Sequence, residues 1–173
     1  MLAGELVTLR AIEREDVPDL HTWGQEYATW PEGSYHPYAP RSLAESLAKF
    51  DAREGYRSTD SSVDFAMDVD DALVGSICLW GLDAFNRRAH LGLTVGTPYR
   101  GKGYGTDACR VLVRYAFVDR GLHRVQLEVL ANNAAAVRAY EKAGFVVDGV
   151  LREAAWVRGE LIDEVVMSVL STD

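Results

Sequence analysis

The sequence predicts an α+β protein: one domain with a mixed, mostly antiparallel sheet and flanking helices. Three observations predict it. The apolar period switches between two and about 3.6 several times along the chain. The resulting order is strand, helices, three meandering strands, helix, strand, helix and two strands, a pattern that mixes parallel and antiparallel neighbours. The chain of 173 residues is 48% hydrophobic, enough for one core, and it carries no repeat, linker or low-complexity tract.

Glu5 to Ala11 alternates as a first strand. Arg14-Glu15-Asp16-Val17-Pro18 then opens a short helix, with acids in its first turn and proline near its start. Trp23, Tyr27, Trp30, Tyr35, His36 and Tyr38 are interrupted by Pro31, Gly33, Pro37 and Pro40, so these aromatics fall on a loop or broken helix, lining a pocket or covering the core. Ser42-Leu43-Ala44-Glu45 is a capping box, and Leu43, Leu47 and Phe50 continue a helix to about Glu54. Val63 to Val69, Leu73 to Leu79 and Ala89 to Val95 are strands, with turns at Asp70-Asp71 and around Asn86. From Gly103, a helix with Ala108, Val111, Leu112, Tyr115 and Ala116 on one face ends near Gly121. Arg124 to Leu130 is a strand. Asn132 or Asn133 caps a helix through Ala143, stopped by Gly144. Phe145 to Leu151 and Leu161 to Leu170 close the sheet, joined through Arg158-Gly159.

Charge and cysteine content narrow the function. Eighteen Lys and Arg against 26 Asp and Glu leave a net charge of −8, which disfavours broad contact with nucleic acid and mildly favours cationic partners. Cys78 and Cys109 are isolated, with no CxxC or Cys/His cluster, so neither a disulfide framework nor a metal site is expected, and a reducing, cytoplasmic setting fits. The N-terminus lacks a signal-peptide pattern and no apolar run approaches a membrane span, so a soluble protein with no membrane partner is expected.

The most informative stretch is Gly96-Thr97-Pro98-Tyr99-Arg100-Gly101-Lys102-Gly103-Tyr104-Gly105-Thr106, between a strand and a helix start. Glycines let a backbone approach a ligand closely, and free N–H groups with the helix dipole bind phosphate. Gly96, Gly101 and Lys102 satisfy most of a Walker A pattern, but Gly103 stands where Ser or Thr should hold magnesium. A dinucleotide fingerprint fails because Thr106 stands at its third glycine. A bare turn would not need three alternating glycines.

Arg100-Gly101-Lys102-Gly103-Tyr104-Gly105 resembles the acetyl-CoA pyrophosphate loop of the GNAT superfamily of N-acetyltransferases. The resemblance continues through Gly121 to Val129, Asn133, Ala139-Tyr140-Glu141-Lys142-Ala143-Gly144-Phe145, Gly149 to Glu153, and Asp163. It covers roughly residues 63 to 170; the N-terminal third agrees in element order alone. Within the superfamily the chain looks most like the branch of RimJ/RimL-type ribosomal-protein N-terminal acetyltransferases and spermidine N-acetyltransferases. The resemblance implies one N-acetyltransferase domain over 1–173, with acceptor-side elements in about 1–60 and an acetyl-CoA core in about 61–170. It implies acetyl-CoA as cosubstrate and direct attack of an amine on the thioester in a ternary complex. The acceptor would be a small cationic amine or a protein N-terminus. Members often pair, which leaves a homodimer open. A catalytically silent acyl-CoA sensor is the alternative from another class, and a nucleotide-binding protein using the near-Walker loop is a third.

Residue by residue, the resemblance assigns the pyrophosphate to backbone around Arg100, Gly101, Lys102, Gly103, Tyr104, Gly105 and Thr106. It gives pantetheine to the open edge of Leu93, Thr94 and Val95, as an added strand would pair. Asn133 would lie near the cofactor arm, or serve only as the helix cap. Tyr140 would sit beside the thioester sulfur, where a phenol of reference pKa about 10 can protonate a leaving thiolate, or would simply pack on the sheet. Glu128, 12 residues before Tyr140, stands where some ribosomal-protein acetyltransferases place a carboxylate base; otherwise it pairs with a neighbour such as Arg124. His90 stands where relatives often carry glutamate; an imidazole there can act as base or sense acceptor charge, or His90 is simply a surface histidine. The choice between Glu128 and His90 stays open at this point.

Overall fold

The structure is a computed structural model describing residues 1–33, 37–52 and 61–173. The chain opens with β1 (Leu2–Ala3) and β2 (Thr8–Arg10), then a 3-10 turn, Arg14–Asp16, leads into α1 (Val17–Gly24) with Pro18 in its first turn. The strand expected over Glu5 to Ala11 is therefore shorter. The N–H groups of Glu5, Leu6 and Val7 donate to the Asp107 carboxylate at 3.2, 2.7 and 2.9 Å instead of to a neighbouring strand. A single turn, α2 (Trp30–Gly33), precedes α3 (Leu43–Asp51). The capping box forms as expected: Ser42 Oγ accepts from the Glu45 N–H at 3.1 Å, and the Glu45 carboxylate accepts from the Ser42 N–H at 2.7 Å. The expected end at Glu54, and the aromatic positions Tyr35 and His36, lie outside the described residues.

The meander is β3 (Ser62–Val69), β4 (Ala72–Asp83) and β5 (Arg88–Val95). Asp70 and Asp71, at φ 49° and 62°, make the tight turn that matches strand twist. A 3-10 turn, Thr97–Tyr99, leads to α4 (Tyr104–Val118), followed by β6 (Arg124–Leu130), α5 (Ala134–Lys142), β7 (Val146–Val157) and β8 (Glu160–Leu170). Among the described residues these strands form one sheet, ordered β1-β2-β3-β4-β5-β6-β8-β7. Every pair is antiparallel except β5–β6. The first closing strand runs past the expected Leu151 to Val157. It survives a register shift between Leu151 and Ala155, where Glu153 takes φ 54° and its N–H bonds the Asp163 carboxylate at 2.8 Å.

Period-two alternation assigns each strand residue a face. Ile77, Leu79, Leu91, Leu127 and Met167 are buried against Ala108, Leu112 and Ala116 of α4. The expected helical face is thus the real one, with Tyr115 half-buried and edge-on to Phe65 at 5.4 Å. Truncating Leu112 there would cost about 2–5 kcal/mol. The intervening residues Cys78, Trp80, His90, Gln126 and Glu128 necessarily present to the opposite face. Across that face lie α1 and the segment after it. They are anchored by a small cluster of Ile12, Leu20 and Ala66 and by Arg10, which bonds Asp16 at 2.6 Å and Asp68 at 2.5 Å.

Candidate active site

The parallel pair β5–β6 supplies the site by coming apart. Pairing runs from Arg88–Arg124 to His90–Gln126 and stops, although β5 continues to Val95 and β6 to Leu130. Among the described residues the β6-facing edge of Leu93 to Val95 has no strand partner, while its other edge pairs with β4. A cavity of about 710 Å³ occupies the gap. Leu93, Thr94, Val95, Arg100, Gly101, Gly103, Tyr104, Gly105, Thr106, Asn133 and Tyr140 all line it. The Lys102 side chain does not: its Nζ lies over the Tyr99 ring, 5.5 Å from the centroid.

The loop geometry suits an anion. Gly103 is the N-cap of α4 in the left-handed region (φ 87°), no side chain among the described residues caps the helix, and Gly101 is also left-handed (φ 75°). The 15-residue helix thus points uncapped N–H groups and the positive end of its dipole into the cavity. Arg100 is held by donating Nε–H to the Val95 carbonyl at 3.1 Å. Arg138 and Lys142, which the sequence reading missed, add positive charge to the same wall. They fall on the helix containing Tyr140, and helical spacing from Tyr140 was the signal for neither. Asn133 is the helix cap, its Oδ1 accepting from the Ala136 N–H at 3.1 Å, and it also lines the cavity. The residues therefore fit a pyrophosphate with an extended amide arm. Among the described residues, no cluster of His, Cys, Asp or Glu could hold a metal ion.

A second cavity, about 930 Å³, lies against the opposite face of the sheet. Leu93, Thr94, Glu128, Val129, Tyr140 and Trp30 line both cavities, so the two meet at this shared wall. Tyr140 is half-buried and tilted against Phe145 at 5.9 Å. Glu128 points from β6 into the junction, whereas His90 lines neither cavity. His90 lies behind Glu128, with Nδ1 3.4 Å from Glu128 Oε2, and stacks on Trp80 at 4.3 Å.

Three carboxylates, Asp64, Glu128 and Glu164, face the second cavity together with rings of Tyr27, Trp30, Tyr38, Trp80 and Trp156. Burial, reinforced by the nearby Glu128 charge, pushes the Glu164 carboxyl above its ordinary value. The aromatic segment of the sequence reading is thus a pocket wall: Tyr38 sits edge-on to Tyr27 and Trp30 at 5.0 and 5.4 Å. Arg158, in the turn between β7 and β8, donates to the Tyr27 and Ala28 carbonyls at 3.0 and 3.1 Å and fastens that wall. At its other end Glu26 accepts from Thr97 Oγ1 at 2.5 Å, tying the same segment to the cofactor-side loop. Asp64, Trp156, Arg158 and Glu164 carried no local motif, because only the strand order assembles them.

A splayed strand pair, a glycine-rich helix start suited to an anion and a second cavity meeting at a tyrosine fit a coenzyme-A-dependent acyltransferase. The chain belongs to the acetyltransferase (GNAT) domain family, whose model matches residues 7–146. It therefore uses acetyl-CoA as cosubstrate in N-acetylation. The match begins well before residue 63, so the N-terminal elements belong to the likeness more fully than their sequence indicated. Over 173 residues the chain is 29% identical to YdaF of Bacillus subtilis, which is named for ribosomal N-acetylation, covering 98% of this chain and 93% of the relative. It is 26% identical to the spermidine N(1)-acetyltransferase of Escherichia coli over 98% of this chain and 88% of that one. The spermidine N-acetyltransferase of Vibrio cholerae, solved with CoA and spermine, shares the fold at a TM-score of 0.86, with 24% identity and 98% of each chain covered.

Proposed function

We propose that this chain acetylates a primary amine of a small polycation, with acetyl-CoA and the amine bound together and no acyl-enzyme formed. The observation that carries this reading is the meeting of the two cavities at Glu128 and Tyr140. Acetyl-CoA supplies an activated acetyl thioester. Backbone N–H groups from Gly101 to Thr106, with Arg100, Arg138 and Lys142 nearby, hold its pyrophosphate. The open edge of Leu93 to Val95 takes its amide arm as an added strand. Glu128 accepts a proton from the acceptor ammonium, directly or through water, freeing the nitrogen lone pair to attack the thioester carbonyl. As the carbon–sulfur bond breaks, the Tyr140 hydroxyl donates toward the departing sulfur. Holding both partners at the junction supplies most of the remaining acceleration as orientation.

The division of labour follows the chain only partly. Residues of about 61–170 supply the loop, the open edge and Tyr140, whereas those of about 1–60 line both cavities, His21, Trp23 and Arg41 on the first and Tyr27, Pro31 and Tyr38 on the second. The carboxylates that recognise the cation, Asp64, Glu128 and Glu164, come from the core. Three carboxylates and a set of aromatic faces favour a ligand with more than one ammonium over a peptide N-terminus. The spermidine acetyltransferases among the relatives support this acceptor class.

Acetyl-CoA-dependent thiol release against polyamines, aminoglycosides, amino acids and short peptides tests the reading. Cys78 and Cys109 contribute little background, since burial pushes both thiols up to about 12, with Asp64 adding to the effect at Cys78. Turnover of polyamines at least tenfold above peptides is expected. Turnover confined to peptides would overturn the acceptor assignment, and cofactor binding without turnover on any amine would favour a sensor.

A further inference from the structure

We infer that His90 is a positioning residue for Glu128 and that Arg124 and Gln126 select the histidine tautomer that performs this task. The inference rests on Glu128 being the base of the proposed reaction. It starts at the rim of the sheet, where the Arg124 guanidinium is paired with Asp148 at 2.5 Å, and Asp148 also accepts from Ser168 Oγ at 3.0 Å. Arg124 Nε–H donates to Gln126 Oε1 at 3.1 Å. A guanidinium has only donors, so this contact fixes which end of the Gln126 amide is oxygen and turns the amide nitrogen toward His90 and Glu128.

Gln126 Nε2 lies 3.4 Å from His90 Nε2 and 3.5 Å from Glu128 Oε1. An amide nitrogen can only donate, so in the neutral ring Nε2 is the acceptor and Nδ1 carries the proton. That Nδ1–H faces Glu128 Oε2 at 3.4 Å, a long contact of the kind that tightens when a reacting complex forms. The ring plane is set by stacking on Trp80, 4.3 Å away with 25° between the planes. His90 and Gln126 are also the last paired residues of β5 and β6 before the strands separate. The support for Glu128 is thus built into the point where the site opens. His90 touches neither cavity, so it acts on the acceptor only through the carboxylate, holding it in the orientation that receives the ammonium proton.

A double-mutant cycle with amide-replacement controls tests the assignment. His90→Leu should lower kcat about tenfold, leaving acetyl-CoA affinity and acceptor KM near wild type. His90→Asn, whose amide nitrogen overlies Nδ1, should recover most of kcat, whereas His90→Gln, whose nitrogen overlies Nε2, should not. In a Glu128→Gln background, His90→Leu should cause no further loss of kcat. An equal tenfold loss in both backgrounds, or equal recovery by Asn and Gln, would overturn the positioning role while leaving Glu128 as base. Full activity of Glu128→Gln alone would overturn the base assignment and this inference with it.

Discussion

In the proposed reading the cofactor side works through backbone: the edge of Leu93 to Val95, which has no strand partner among the described residues, and the helix start at Gly103. Across the junction at Tyr140 the working surface is side chain. Asp64, Trp80, Glu128, Trp156 and Glu164 reach one cavity from β3, β4, β6, β7 and β8, and Tyr27 and Trp30 close it from the opposite wall. A backbone site tolerates change in most side chains but not in the conformation of a few glycines. A side-chain site can be retuned one residue at a time while the fold stays intact. The cofactor side therefore carries a compact sequence signature, and the acceptor side is where specificity can vary.

The largest expected effect breaks the backbone half. Gly103→Glu puts a carboxylate at the helix start on a left-handed backbone, and titration calorimetry should find acetyl-CoA affinity reduced on the order of 100-fold or more. Gly103→Ala separates strain from charge: it carries only the left-handed penalty of roughly 1–2 kcal/mol, and it should keep measurable cofactor binding. Equal loss in both variants would assign the effect to backbone strain alone.

An intermediate effect is expected at the junction. Tyr140→Phe removes the hydroxyl and keeps the ring against Phe145. Steady-state kinetics should give a kcat lower by about 10- to 100-fold with both KM values little changed. A raised acetyl-CoA KM at constant kcat would instead make Tyr140 a binding residue.

The smallest effect sharpens the side-chain half. The Glu164 carboxyl is held above its ordinary value, so the folded state binds that proton more tightly than the unfolded chain does. Its ionised form consequently opposes folding as pH rises, and below the ordinary value of 4.5 both states are protonated and the penalty disappears. Glu164→Gln should raise Tm by roughly 1–2 °C at neutral pH, with the gain vanishing in acid. It should also raise acceptor KM without altering acetyl-CoA affinity. A gain that persists unchanged in acid would trace the stabilisation to packing, and a weakened cofactor would show that the two halves are not separable at this residue.

Much of the frame was legible because its signals are local. The capping box at Ser42 and Glu45, the Asp70-Asp71 turn and the buried stripe of α4 each depend on neighbours within a few residues. Glu5 to Val7 alternates like a strand but does not pair as one, because its hydrogen-bond partner, Asp107, lies about a hundred residues away. Lys102 reads in the sequence as a loop cation beside Arg100, and only the structure shows its Nζ set 5.5 Å from the Tyr99 ring centroid.

By itself the sequence determined the element order, the faces of the strands and the glycine loop that opens α4, since periodicity and left-handed glycine positions are properties of short segments. Tertiary structure alone decided that β8 inserts between β6 and β7, that β5 and β6 part after His90 and Gln126, and that Glu128 faces the junction while His90 stands behind it. The physical reason is that strand order and divergence are settled by pairing between segments far apart in the chain. A one-dimensional pattern carries the preference of each strand for a face, and the partner beside it is chosen only when the whole sheet closes over its core.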